Sequence, residues 1–180
     1  PDENGEKVHI ILGPSTHCGS SIKDFMPFYP RGIVLSSLYF RPEIPLSATW
    51  VLAHEFGHLI TTDLCKQTGS SYFDKIEEIL GENFEHLKQD VSGKIQIQAE
   101  QSSLNIKEGG FVPPIDSVKT PKQEEAMRLT KLTYGISNQE EFIAVIAESY
   151  FLGKDYFQRM YAAFFPQDVV DSLYEFARDD

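Results

Sequence analysis

Residues His54-Glu55-Phe56-Gly57-His58 set two imidazoles four positions apart with a carboxylate between them. On a helix of about 3.6 residues per turn, positions four apart share a face. Both rings can then reach one Zn²⁺ at roughly 2.0–2.1 Å, and Glu55 can take a proton from a water held by the metal. Such a site needs a third ligand. Ser137-Asn138-Gln139-Glu140 has the spacing of a capping box, with Ser137 as the cap and Glu140 turned back to its amide. That leaves Glu141 free to point out of the first turn. Glu148 lies on the same face about 10 Å further along the axis, too far for both acids to ligate one ion. His54, His58 and Glu141 therefore make a His₂Glu set that leaves a fourth position for water, with one Zn²⁺ per chain. The longer metzincin pattern fails, because positions 61 and 64 are Thr61 and Leu64. Asp63 is expected to support a ligand or face solvent.

The elements that must hold these groups are legible in outline. Trp50, Leu52, Ala53, Phe56, Leu59 and Ile60 recur at helical steps, and Pro45 and Ser47 are start signals, so a helix is expected within Leu46–Asp63. Gly57 in mid-helix costs about 1 kcal/mol relative to Ala, which implies a close backbone approach or room for a ligand. Val8 to Leu12 reads as a buried strand ended by Gly13-Pro14. Gly32 to Phe40 reads as a second strand leading into the zinc helix, and its Ser36-Ser37 pair and Pro42 exit suit a sheet edge. Short helices are expected at Tyr72–Leu80 and Asn83–Asp90. Lys94-Ile95-Gln96-Ile97-Gln98 alternates like a strand. It opens a stretch, 92–122, whose Gly109-Gly110 and Pro113-Pro114 steps suggest a loop or flap insertion. Helical pattern returns at Gln123–Leu132, breaks over 133–136, restarts at Ser137 and closes with Gln167–Ala177. The expected fold class is α/β (α+β): one domain spanning 1–180, with a small mixed sheet packed on the zinc helix and a mostly helical C-terminal half.

Composition narrows the partners. Hydrophobic content of 41% and aromatic content of 12% fit a globular chain rather than a disordered one. A net charge of −11 offers no basic stripe to displace counterions, which argues against nucleic acid and anionic membrane as partners. No apolar run is long enough to span a bilayer and no signal peptide is visible. The chain begins at Pro1, as a fragment or processed form would. Cys18 and Cys65 are expected as ordinary thiols, although they could pair. His9 is expected to be a core or edge histidine, His17 beside Cys18 has no partner at ligand spacing, and His86, which could ligate metal, is expected to be an exposed helical histidine.

With Asp63 shortly after the motif, and Tyr134-Gly135-Ile136-Ser137-Asn138-Gln139-Glu140-Glu141-Phe142 later, the chain resembles the anthrax lethal factor-like and Pro-Pro endopeptidase-like zinc metallopeptidases, a gluzincin group. The likeness covers the zinc helix and residues 132–152. It implies zinc ligands His54, His58 and Glu141, with Glu55 as base and acid and Tyr134 as hydrogen-bond donor to the oxyanion. It also implies a secreted or delivered effector, such as a toxin. In two respects the chain departs from that group. The stretch between His58 and Glu141 is longer, and the acid expected one turn after the ligand glutamate is Val145, so that Glu148 or Asn138 must support the metal instead. The expected activity is zinc-dependent endopeptidase hydrolysis. The substrate is a protein or peptide extended along an edge strand, and the enzyme is a monomer. The runner-up readings are a metal-binding interaction module without activity and a zinc hydrolase acting on a non-peptide bond.

Overall fold

Apolar residues at three- and four-residue steps dominate the second half of the chain, and helices follow from them. The computed structural model describes residues 9–13, 32–36, 51–58, 72–101 and 120–179. Two strands come first, β1 (His9–Gly13) and β2 (Gly32–Ser36), paired in parallel with His9 opposite Gly32 and Gly13 opposite Ser36. Helix α1 covers residues 51–58. Ile33 of β2 is fully buried, and Val51, Leu52 and Phe56 of α1 pack against it. Six further helices follow: α2 (Tyr72–Leu80), α3 (Phe84–Gln101), α4 (Pro121–Gly135), α5 (Gln139–Phe151), α6 (Lys154–Tyr161) and α7 (Gln167–Asp179).

The main core is built by helices alone. Ile76 of α2, Leu87, Val91 and Ile95 of α3, Leu129 and Leu132 of α4, Phe157 of α6 and Val170 of α7 share one buried cluster with the apolar residues of α5. Helix α5 is the hub: Phe142, Ile143, Ala144, Val145 and Ile146 are buried in an unbroken run, which only a helix enclosed on nearly all sides shows. Buried Arg128 of α4 donates to the carbonyls of Arg159 and Met160 at the end of α6, satisfying acceptors that a helix terminus leaves open.

This architecture corrects the expected α/β fold with a small mixed sheet. The described residues are helical almost throughout, and their strand content is the single parallel β1–β2 pair. The strand expected at Lys94–Gln98 is helix. Five alternating residues fit a strand, but Val91, Ile95 and Ala99 share one buried helical face while Ile97 is exposed, and the longer window wins. Residues 92–101 thus complete α3 rather than open a flap, and 121–122 begin α4, while 102–119 lie outside the described residues. The break expected over 133–136 is also corrected, since α4 continues to Gly135. Helix α6 was not anticipated. The pairing of Cys18 with Cys65, the environments of His17 and Asp63, and the far end of the second expected strand fall outside the described residues. No described helix is long and apolar enough to cross a membrane.

Candidate metal centre

The two halves of the site meet where α1 crosses α5. A Cβ added to Gly57 would lie 2.7 Å from the Ala144 Cα and 3.1 Å from the Ala147 Cβ. Real side chains do not fit at that distance, so the glycine lets the backbones touch. Ala144 and Ala147 supply the small opposing face. The contact sits between His54 and His58 on one helix and between Glu141 and Glu148 on the other. It brings both imidazoles onto the acidic face of α5. The close backbone approach expected from the sequence is therefore the role Gly57 plays.

The cap that starts α5 differs from the one anticipated. Asn138, in extended conformation, is the N-cap, and its Oδ1 accepts from the Glu141 amide at 2.9 Å. Ser137 precedes the cap, and Glu140 is exposed. Both Ser137-x-x-Glu140 and Asn138-x-x-Glu141 have capping spacing, and the structure uses the second. Glu141 stands at the third helical position with its amide tied down and its side chain in the site.

Glu141 Oε2 lies 3.2 Å from His54 Nε2 and 3.4 Å from His58 Nε2. One ligand atom from each of the three residues can be chosen so that all lie within 4.8 Å of one another. These three side chains could hold a metal ion. Their fit to a cation has a direct sign: Glu141 Oε2 is buried and has no hydrogen-bond partner among the described residues. Three donor atoms thus converge at ion-pair distance, an arrangement that a shared positive charge, a proton on His54 or a metal ion, makes favourable. The rings of His54 and His58 meet edge to face at 4.9 Å.

His54 is engaged at its other nitrogen as well. Its Nδ1–H donates to Glu148 Oε2 at 3.2 Å, which leaves Nε2 as the atom facing Glu141. Metal-binding histidines commonly donate their second ring N–H to a carboxylate in this manner. Of the two residues expected to take over the supporting role of the missing acid at Val145, the structure brings Glu148 against His54. Asn138 serves as the cap. Lys131 of α4 in turn approaches the same Glu148 oxygen at 2.5 Å. The sequence reading did not single out Lys131; its signal was a lysine one turn before Tyr134, on the same helix and so on a shared face.

The charges follow from this geometry. Burial pushes the Glu141 carboxyl up, but His54, His58 and the Tyr134 hydroxyl outweigh it and hold the group well below the usual carboxylate range. Burial opposes a charge on His54, yet Glu141 and Glu148 beside it prevail and raise its pKa above 6.5. Glu55 moves the other way. It is buried, one of its oxygens has no hydrogen-bond partner among the described residues, and desolvation raises its pKa above the usual carboxylate value. Tyr134 stacks obliquely on His54 at 5.8 Å, and burial followed by the hydrogen bond to Glu141 raises its phenol. His86 is exposed and pairs with Glu82, remote in role from this centre. No protein-family model, curated protein or solved structure matches the chain.

Proposed function

We propose that this domain is a zinc-dependent endopeptidase. The observation that carries the reading is the convergence of His54, His58 and Glu141 within 4.8 Å, with the buried carboxyl of Glu55 on the same helix as both histidines. Two imidazoles and one carboxylate suit a four-coordinate ion with an open position, the donor set of catalytic zinc. When bound, zinc supplies a Lewis acid that acidifies water and polarises a carbonyl oxygen.

The residues of the chain do the rest. Glu55, with a pKa lifted by burial, is suited to accept a proton from the attacking water and return it to the leaving amine. Tyr134, whose phenol stays protonated because burial and the neighbouring acids raise it, donates a hydrogen bond within the site. In the metal-free arrangement that donation goes to Glu141, and in turnover it passes to the oxyanion. Glu148 fixes the orientation of His54. The resemblance to lethal factor-like peptidases supports the same roles. An extended peptide is the substrate the reading requires, and the acidity of the chain favours neutral or basic segments.

The test is metal content and turnover of a peptide library, with wild type beside Glu55→Gln. The variant is expected to keep one zinc per chain and to lose about 10²–10⁴-fold in hydrolysis. Zinc-loaded wild type that cleaves nothing in a diverse library would sink the peptidase reading while leaving the metal site standing.

A further inference from the structure

Helices α4 and α5 run back along one another, and their facing side chains form two polar rungs. Tyr134 meets Glu141 in the first, and Lys131 meets Glu148 in the second. His54 enters from α1 and touches both, through Nε2 to Glu141 and Nδ1 to Glu148. The second rung is deeply enclosed. Glu148 is 0% exposed, so its charge needs a partner. Lys131 and His54 share one oxygen of it, Oε2, while Oε1 has no hydrogen-bond partner among the described residues. Both of these contacts to the carboxylate therefore fall on one atom, the oxygen that accepts from His54 Nδ1–H.

Resting on the metal reading of His54, His58 and Glu141, we propose that Lys131 is a positioning residue for the metal centre. Its ammonium pins Glu148 so that Oε2 remains the acceptor for His54 Nδ1–H and Nε2 stays turned toward the ion. An ion pair that merely bridged α4 and α5 would contribute to stability alone. A pair that also sets the orientation of His54 must register in metal affinity, and its effect must vanish once Glu148 no longer carries the contact.

The experiment measures zinc affinity of the full chain by competition with a chromophoric chelator, for wild type, Lys131→Met, Glu148→Gln and the double variant. The His54 ring resonances of the metal-free proteins are read by nitrogen-detected NMR alongside. Lys131→Met is expected to weaken zinc binding about 10–100-fold and to shift the Nδ1 signal of His54. In the Glu148→Gln background the same substitution is expected to change affinity little, because the two act through one contact. Wild-type affinity in Lys131→Met, or an equal loss in both backgrounds, overturns the inference. Should Lys131→Met fail to fold, Lys131→Gln keeps a donor without the charge and is expected to lose affinity in the same direction; unchanged affinity there overturns the inference too. A wild-type chain that binds no zinc removes the metal reading itself, and this inference with it, which separates the two failures.

Discussion

His54 is the residue on which proton and metal compete. With carboxylates at both nitrogens, its folded pKa lies above 6.5 despite burial. A raised folded pKa means that the protonated ring stabilises the metal-free fold. That contribution is fully present below the unfolded value and is lost as pH rises through the folded one. Metal needs the same ring neutral, and it releases the proton on binding. The gain in thermal stability on adding zinc is therefore expected to be larger at about pH 8 than at about pH 6. Scanning calorimetry with and without zinc checks this. A gain that grows on acidification contradicts His54 as a ligand.

At the scale of elements, the site depends on how closely α1 lies on α5 and on where α5 begins. Gly57→Ala should raise helix propensity by about 1 kcal/mol on an isolated helix. In this chain the new methyl would meet the Ala144 backbone at 2.7 Å, so the helices must part. Lower thermal stability and weaker zinc binding are expected together, and a variant that gains stability with wild-type affinity would refute the contact. Asn138→Ala removes the cap on the turn that carries Glu141, with an expected loss of about 1 kcal/mol, whereas Ser137→Ala should be near neutral. Urea denaturation of the two variants tells the registers apart. The same elements show what the sequence made legible. Two histidines and a carboxylate at fixed spacing are a local signal, and the helix that carries them is local too. The cap was ambiguous because two overlapping tetrads have the same chemistry, and only the packing of α5 chooses between them. Lys131 was only half legible: its place one turn before Tyr134 is local, but its meaning lies in Glu148, a partner on a different helix.

For the molecule as a whole, the expected sheet gave way to a helical core. Short windows misled here: Lys94 to Gln98 alternates, yet its neighbours Val91 and Ala99 extend a helical face that five residues cannot display. Ile95 is accordingly a core residue, 4% exposed, in a stretch that reads as a flap from composition. Ile95→Ala is expected to destabilise the fold by about 2–5 kcal/mol. Amide exchange should likewise be slow across residues 92–101 wherever the helical bonds are buried. A small effect of the substitution together with rapid exchange would return the segment to the surface.

The seam between Gly57 and Ala144 also bears on how such a site changes over generations. Its metal geometry is set by two backbones in contact and not by the length of chain that joins them. Codons gained or lost in a connecting stretch between His58 and Glu141 leave the three donors where they are, provided α1 still reaches α5. One base change that gives Gly57 a methyl does not. The number of residues in a connecting stretch is thus free to drift among descendants, while Lys131 and Tyr134 within the interval, and the glycine that has no chemistry of its own, are not.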